Sequence, residues 1–232
     1  TGTGKTLAFG IPIILHVLDT QAHVLILAPT RELALQIEET FLKVGRPLGI
    51  RCAVLIGGAS MRPQVDAVRR GPDVIIATPG RLIDHLEQGT LKLDSANILV
   101  LDEADRMLDM GFLPQIKRIL SAVPAERQTM LFSATLSREI FTIAQKTMKT
   151  PVQIEVAPQG TTSENVTQEL FLVRADEKLR LLEKILSETQ GPTLVFARTK
   201  HGARKIAHRL TQVGNTAADI QGNRSLSQRK EA

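Results

Sequence analysis

The 232-residue sequence contains no tryptophan and no tyrosine, and only seven phenylalanines. Proteins that hold single-stranded nucleic acid without sequence preference commonly stack its bases on such rings. A surface of stacked aromatic side chains is therefore not expected here. Any nucleic acid bound by this chain would be held mainly through its sugar–phosphate backbone.

Cysteine and long apolar runs are also scarce. Cys52 is the single cysteine, so no intramolecular disulfide can form, which favours a reducing compartment. No stretch approaches the roughly 18 apolar residues of a membrane-spanning helix, and the first residues lack the basic-then-apolar layout of a signal peptide. Together these features predict a soluble protein of the cytoplasm.

Net charge is small, since 29 Lys and Arg face 24 Asp and Glu, which gives +5. The excess is uneven: residues 1–156 carry 17 bases and 16 acids, whereas residues 157–232 carry 12 bases and 8 acids. An ordinary, mildly basic surface is one interpretation and contact with a polyanion is the other. Charge alone does not separate them.

Short apolar runs of strand length alternate with amphipathic stretches of helix length, such as 31–44 and 113–123. The predicted strands are 23–28, 52–57, 73–78, 97–102, 129–134 and 152–156. Their near-continuous hydrophobicity is typical of parallel strands covered on both faces. The alternation predicts an α/β fold with a doubly wound parallel sheet.

The alternation stops at residues 157–165, which are polar and contain Pro, Gly and Ser, and we interpret them as a linker. It then resumes, with predicted strands at 167–174, 193–197 and 216–221 and helices at 177–188 and 199–213. We therefore predict a first domain over 1–156, a linker over 157–165 and part of a second α/β domain over 166–232. About seventy residues with three strands would form a poor core on their own.

The first six residues, Thr1-Gly2-Thr3-Gly4-Lys5-Thr6, match the second half of a phosphate-binding loop. In such loops backbone amides surround phosphate oxygens, the lysine reaches the β and γ phosphates, and the threonine hydroxyl ligates Mg²⁺. A chance glycine-rich turn is the alternative.

Two adjacent acids, Asp102 and Glu103, follow the apolar run 98–101. A strand that delivers carboxylates at its carboxyl end, beside a phosphate loop, is where such sheets bind nucleotides. One carboxylate would hold Mg²⁺ and the other would position or deprotonate a water molecule. The alternative is an ordinary acidic first turn of a helix.

The tetrapeptide Asp102-Glu103-Ala104-Asp105, within VLDEADRMLDMGF (100–112), resembles the DEAD-box family of ATP-dependent RNA helicases, of superfamily 2 and bacterial type. Other family-like segments follow the same order: PTREL (29–33), Gly57-Gly58, TPGR (78–81), SAT (133–135) and LVFART (194–199). The resemblance covers essentially the whole chain, and six ordered motifs are far more specific than any one of them.

The resemblance implies two RecA-like lobes that close on ATP–Mg²⁺ and single-stranded RNA. By this resemblance Thr1, Gly2, Thr3, Gly4, Lys5 and Thr6 bind the nucleotide, Thr6 and Asp102 hold Mg²⁺, and Lys5, Asp102 and Glu103 are catalytic. Asp105, Ser133 and Thr135 would couple nucleotide to RNA. The RNA contacts would be Pro29, Thr30, Arg31, Gly57, Gly58, Thr78, Pro79, Gly80 and Arg81 in the first lobe, and Arg198 and Thr199 in the second.

Each of these motifs also has a plain structural interpretation. Gly57-Gly58 after a strand is commonly just a turn, and Arg31 and Arg81 near helix starts could be surface charges. Ser133-Ala134-Thr135 before a helix could be an N-cap. The five histidines show no spacing that indicates a metal site, and Cys52 resembles a buried small hydrophobe more than a nucleophile.

Two functions from different classes remain open, both with RNA as partner and a monomer as the expected state. The first is RNA-stimulated ATP hydrolysis coupled to unwinding of short duplexes or remodelling of RNA–protein complexes. The second is an RNA-binding clamp or scaffold that uses ATP as a closure signal with little unwinding. A DNA translocase is a third option, because 2′-hydroxyl recognition is not visible in a sequence.

The family's adenine-recognising motif and its arginine finger are not matched, so the sequence resembles one truncated at both ends. An arginine finger contributes several orders of magnitude to phosphoryl transfer. We therefore predict that the 232-residue polypeptide by itself hydrolyses ATP weakly and does not unwind duplexes. A phosphate-release assay with and without RNA measures this, and RNA-stimulated turnover by a polypeptide of verified mass would contradict it.

Overall fold

The computed structural model describes residues 4–155 and 166–232. The chain divides into two compact units, Thr1–Thr161 and Thr162–Ala232. The predicted linker, 157–165, lies outside the described residues, so the domain boundaries proposed from the sequence stay a prediction. Each unit is described by itself.

The first unit is built on a five-stranded sheet in which every pairing is parallel, with strand order β2-β3-β1-β4-β5. The strands are β1 His23–Leu27, β2 Cys52–Leu55, β3 Val74–Ala77, β4 Ala96–Leu101 and β5 Gln128–Leu131. The predicted α/β class and parallel sheet are confirmed, and five of the six strands predicted for this unit are present.

Within residues 4–155, seven helices connect and cover these strands: α1 Lys5–Thr20, α2 Arg31–Val44, α3 Met61–Arg69, α4 Pro79–Glu87, α5 Ala104–Asp109, α6 Leu113–Ala122 and α7 Arg138–Thr147. A short 3-10 turn, Arg46–Leu48, follows α2. Local capping explains several starts. The Thr30 hydroxyl accepts the Leu33 amide at 3.2 Å, and the Ser137 hydroxyl accepts the Ile140 amide at 3.3 Å.

Both faces of the sheet are covered, as the unbroken apolar strands predict. Leu25 and Leu27 of β1 and Leu99 and Leu101 of β4 belong to one buried cluster, which includes side chains of α4, α5, α6 and α7. Because side chains alternate along a strand, the intervening buried residues face the opposite side. The buried residues of α1 and α2 lie outside that cluster, and Gly10 of α1 approaches the Phe41 ring of α2.

The five strands end in one row across the sheet. Leu55 pairs with Ala77, Ala77 with Leu27, Leu27 with Leu101, and Leu101 with Leu131. Four amides carry the ladder one residue further, from Ala28 to Ala77 O (3.0 Å), Thr78 to Leu55 O (2.9 Å), Asp102 to Leu27 O (3.0 Å) and Phe132 to Leu101 O (2.8 Å). Every loop that leaves the sheet here therefore starts at the same edge.

The second unit is described as three helices, α8 Lys178–Glu188, α9 Lys200–Gln212 and α10 Leu226–Glu231. Arg209 of α9 pairs with Glu183 of α8 at 3.1 Å, and Ser225 and Gln228 form a capping box at the start of α10. The helices predicted at 177–188 and 199–213 are present, each slightly shorter.

The strands predicted at 167–174, 193–197 and 216–221 are wrong, as is the one at 152–156 over its described residues, 152–155. A strand is defined by its pairing, and none of these segments joins a ladder among the described residues. Their apolar side chains lie in solvent, with Leu172 95% and Phe196 89% exposed. Apolar runs indicate where a strand can form, but not whether a neighbour is there to pair with it.

None of the helices within 4–155 and 166–232 combines the length and the apolar character needed to cross a bilayer.

Leu99 lies fully buried in β4, with paired strands on both sides. We expect Leu99→Ala to lower the free energy of unfolding by about 2–5 kcal/mol, because it removes apolar contacts and leaves a cavity. A urea titration followed by circular dichroism measures this. Leu15→Ala, at an exposed position of α1, is the matched control and should stay within about 0.5 kcal/mol of the wild type. Equal losses for the two variants would contradict the assigned core.

Candidate nucleotide and nucleic-acid sites

The start of α1 has the geometry of an anion-binding helix end. Gly4 is its N-cap, in the left-handed region at φ 71°, and no side chain caps the first amides. A Cβ built on Gly4 would meet nothing within 4 Å, so space is open beside these amides. Uncapped amides and the positive end of the helix dipole attract phosphate. Thr1, Gly2 and Thr3 lie outside the described residues, while Lys5 and Thr6 form the first turn, half-buried.

Asp102 directly follows β4 and is 3% exposed. Its Oδ1 accepts the Glu103 amide at 3.0 Å. Burial raises the pKa of the Asp102 carboxyl, while the Glu103 amide bond and the positive charge of Lys5 oppose that rise. Among the charged groups that act on the Asp102 carboxyl, Lys5 is the one at the start of α1.

Glu103 has a strained backbone at the start of α5. Its φ of 48° and ψ of 53° lie in the left-handed region, which costs a residue other than glycine roughly 1–3 kcal/mol. The Ala104 amide holds the turn by donating to Phe132 O at 3.0 Å. The Glu103 carboxylate pairs with Arg106 at 3.2 Å and stays partly exposed. Such strain commonly marks functional positions.

Asp105 joins this acidic turn to the loop after β5. Its Oδ2 accepts both the amide of Thr135, at 3.0 Å, and the Thr135 hydroxyl, at 3.1 Å. Partial burial would raise the pKa of Asp105, but hydrogen bonds from the Arg106 amide, from Thr135 and from Ser133 outweigh it, so the pKa is lowered. Ser133 also donates to Thr135 O at 2.6 Å. The structure therefore brings all three predicted coupling residues together.

The N-cap interpretation of residues 133–135 is wrong. Helix α7 begins at Arg138, and its capping hydroxyl belongs to Ser137. The Ser133 and Thr135 hydroxyls are engaged with the loop and with Asp105 instead.

Arg31 lies against the loop that follows β2. Gly58 is in the left-handed region at φ 73°, and a Cβ placed there would come within 2.3 Å of Arg31 Nη1. Gly57 is next to it, with Arg31 Nη2 3.9 Å from its ideal Cβ position. The glycine pair is thus a turn, and it is also the surface on which a guanidinium rests. Only glycine permits so close an approach.

The segment after β3 is equally ordered. Thr78 is buried, and Pro79 is the first residue of α4. Arg81 is only 11% exposed, donates to Ala59 O at 3.0 Å and pairs with Asp84 at 3.2 Å. Its contact with Ala59 joins this segment to the Gly57–Gly58 loop. Neither Arg31 nor Arg81 is a loose surface charge.

The remaining predicted RNA contacts are placed as follows. Pro29 is buried and Thr30 caps α2. Gly80 has open space beside its Cα. Arg198 and Thr199 lie in the second unit, where Arg198 is exposed and the Thr199 hydroxyl caps α9 by accepting the Gly202 amide at 3.0 Å.

Gln64 of α3 was missed by the sequence interpretation. It is 7% exposed, and its amide makes three hydrogen bonds to the loop before its own helix. Oε1 accepts the Ile56 amide at 3.1 Å, and Nε2 donates to Ile56 O at 3.1 Å and to Ser60 O at 3.0 Å. A signal was present, because Gln64 shares the apolar face of its helix with Met61 and Val68.

His85 and Cys52 are two further titratable side chains of the first unit. His85 is completely buried, with Nδ1 2.8 Å from the Thr90 hydroxyl, and burial followed by the charge of Arg81 lowers its pKa. Burial, with Glu38 and Asp73 nearby, raises the pKa of Cys52 to about 12, so this thiol is a poor nucleophile. In the described part of the chain, no three His, Cys, Asp or Glu side chains form a group able to hold a metal.

Comparison with known proteins gives consistent matches. A family model described as "DEAD/DEAH box helicase" matches residues 1–143. The chain is 43% identical to "DEAD-box ATP-dependent RNA helicase CshA" of Geobacillus kaustophilus, over 99% of this chain and 50% of that protein. It is 42% identical to "DEAD-box ATP-dependent RNA helicase 40" of Oryza sativa, over 100% of this chain and 30% of that protein.

A solved structure is similar over the whole chain. The crystal structure of a DEAD box protein from Methanococcus jannaschii aligns with a TM-score of 0.63 and 34% identity, covering 100% of this chain and 62% of that one. The chain spans half the length or less of the two curated relatives just described.

The raised pKa of Asp102 makes a prediction about stability. A carboxyl with a raised pKa stabilises the fold fully below its unfolded pKa and loses that contribution as pH rises through the folded pKa. Asp102→Asn removes the buried charge and keeps an oxygen for the Glu103 amide. We expect a higher free energy of unfolding than the wild type at pH 7, and a gap that closes below about pH 4.

Denaturant titrations between pH 3 and pH 8 measure this difference. Asp109→Asn, at an exposed position of the helix that follows Asp102, is the control for loss of one surface charge, and at pH 7 its free energy of unfolding should stay within about 0.5 kcal/mol of the wild type. A variant at Asp102 that is less stable than the wild type at every pH would refute the argument.

Proposed function

Since this chain belongs to the DEAD/DEAH box helicase family, we propose that it forms the ATP-binding part of an ATP-dependent RNA helicase. In this proposal RNA stimulates ATP hydrolysis, and the cycle drives unwinding of short duplexes or remodelling of RNA–protein complexes. The observation that carries it is the bonding of Asp105 to Thr135, which links the acidic turn after β4 to the loop after β5. The names of the relatives, ATP-dependent RNA helicases, support it.

Lys5 and the first amides of α1 are proposed to bind the ATP phosphates, together with Thr1, Gly2 and Thr3, which lie outside the described residues. The Gly4 geometry supports this, because it leaves the amides uncapped with open space beside them. Lys5 is the first residue of α1, so its ammonium is carried at the same helix end as these amides.

Thr6 and Asp102 are the residues we propose to hold Mg²⁺. The donor set fits, because Mg²⁺ in phosphate-transfer sites takes one or two protein oxygens and completes its shell with water and substrate phosphates. The raised pKa of Asp102 fits as well, since a buried carboxylate held by one amide is stabilised by a cation. The ion would neutralise charge on the phosphates during transfer.

Glu103 is proposed to position the attacking water and accept its proton. Its neighbour Asp102 is buried, whereas the Glu103 carboxylate is partly exposed and so accessible to water. The left-handed backbone supports the assignment, because strain of this kind persists where a side chain must be held in a particular place.

RNA is proposed to bind across the loops after β1, β2 and β3. Arg31, Arg81 and the amides of Gly57 and Gly58 supply positive charge and donors for phosphates, without groups arranged to recognise bases. The contacts among these residues support one continuous surface in the first unit. Arg198 and Thr199 are proposed as the counterparts in the second unit.

We also propose the domain division made above, with a first RecA-like lobe over 1–156, a linker over 157–165 and part of a second lobe over 166–232. A single cysteine supports a cytoplasmic, reducing environment. A monomer is proposed because none of the motifs requires a second copy of the chain.

Glu103→Gln tests the catalytic assignment. We expect ATP turnover to fall by about 10²–10⁴-fold, as loss of a general base commonly gives, while ATP affinity stays within about twofold. Steady-state phosphate release and binding of a fluorescent ATP analogue measure the two quantities in a chain extended to the length of the relatives. Glu39→Gln, at an exposed surface pair with Lys43, is the control and should behave as the wild type. Undiminished hydrolysis would reject Glu103 as the catalytic base.

A strand-displacement assay distinguishes a helicase from a clamp. With the chain extended to the length of the relatives, short RNA duplexes should separate with ATP, and much less with a non-hydrolysable analogue. Tight ATP-dependent RNA binding without strand displacement would favour the alternative of an ATP-gated RNA-binding clamp or scaffold. Competition between RNA and DNA of one sequence, at a stated salt concentration, checks the nucleic acid that is preferred.

A further inference from the structure

We infer that Gln64 is a positioning residue that sets the Gly57–Gly58 loop in the form that binds RNA backbone. The inference rests on the proposed function, because it concerns the same RNA surface. Gln64 lies outside the motifs that carry the family resemblance, and it is assigned here from its hydrogen bonds and burial alone.

The side-chain amide of Gln64 holds both ends of the loop. It satisfies the amide and the carbonyl of Ile56 on one side and the carbonyl of Ser60 on the other. The three residues between these anchors are Gly57, Gly58 and Ala59. A glutamine suits this place because it carries an acceptor and two donors on one planar group. Glutamate lacks the donors, methionine lacks both, and asparagine is shorter by one methylene.

The position of the loop determines the position of two guanidinium groups. Arg81 donates to Ala59 O at 3.0 Å, and Arg31 lies within contact distance of Gly58. If the loop moves, Arg31 loses the surface it rests on and Arg81 loses an acceptor. Gln64 therefore acts on the proposed RNA contacts through the loop and does not itself need to touch RNA.

Gln64 and the loop it holds lie on the β2 side of the sheet, away from the proposed nucleotide site after β4. Strand β2, which precedes the loop, stands at one edge, with β3 and β1 between it and β4. Three strand spacings amount to roughly 14 Å. Loss of the three Gln64 hydrogen bonds should therefore affect RNA binding and leave ATP binding at Asp102 and Lys5 unchanged.

Gln64→Met removes all three hydrogen bonds at similar volume and without added charge. In the full chain we expect the dissociation constant for single-stranded RNA, measured by fluorescence anisotropy, to rise about tenfold, because three buried backbone groups lose their partner. The affinity for a fluorescent ATP analogue should stay within about twofold. Asp66→Asn, on the exposed side of the same helix, is the control and should change none of these quantities.

Amide hydrogen exchange, measured without RNA, tests independently of function whether Gln64 orders the loop. The amides of residues 56–60 should exchange faster in Gln64→Met than in the wild type, while those of β4 should not change. Gly58→Ala strains the same loop, because the left-handed backbone at φ 73° is unfavourable for alanine. The RNA dissociation constant of the double variant should therefore rise by less than the product of the rises in the two single variants.

The possible failures are distinguishable. If the wild type does not bind RNA, both the proposed function and this inference fall. If the wild type binds RNA and Gln64→Met binds it equally well, only the inference falls. Parallel losses of RNA and ATP affinity would show general destabilisation and would also overturn the positioning role.

Discussion

The first unit depends on five parallel strands that end in one row. Because Leu55, Ala77, Leu27, Leu101 and Leu131 share that row, the loops that follow them start at one edge of the sheet. The chemistry-bearing segments at this edge, from 29–33 to 133–135, come from points about one hundred residues apart in sequence. A register shift of one residue in any strand would turn its buried side chains to the opposite face, so the packed core also maintains the alignment of the edge.

Along this edge, polar groups are differently solvated although they are close in sequence. Asp102 is buried and its pKa is raised, whereas Asp105, three residues later, receives enough hydrogen bonds to lower its pKa. Between them Glu103 has a strained backbone and a partly exposed carboxylate. A buried charge and a strained turn both oppose folding, and the surrounding apolar core offsets them. Their presence is better explained by a demand of function than by stability.

The loop after β2, further along the same edge, is held by side chains rather than by regular secondary structure. Gln64 joins Ile56 to Ser60, and Arg81 and Arg31 contact the residues between. Such bonding preorganises donors for a polyanion, which lowers the ordering cost on binding. The second unit differs, because its described residues form helices only and leave Leu172 and Phe196 in solvent.

The sequence by itself determined the α/β class, the five strands of the first unit, helix α2 to its exact ends and the identity of the motifs. These follow from local periodicity, turn chemistry and residue type, which a linear pattern records. Only the tertiary structure decided that Asp105 bonds Thr135, that Gln64 clamps a loop and that Arg31 rests on Gly58. It also decided that 167–174 and 193–197 lack strand partners. Pairing, burial and solvation depend on neighbours distant in sequence, so no local pattern contains them.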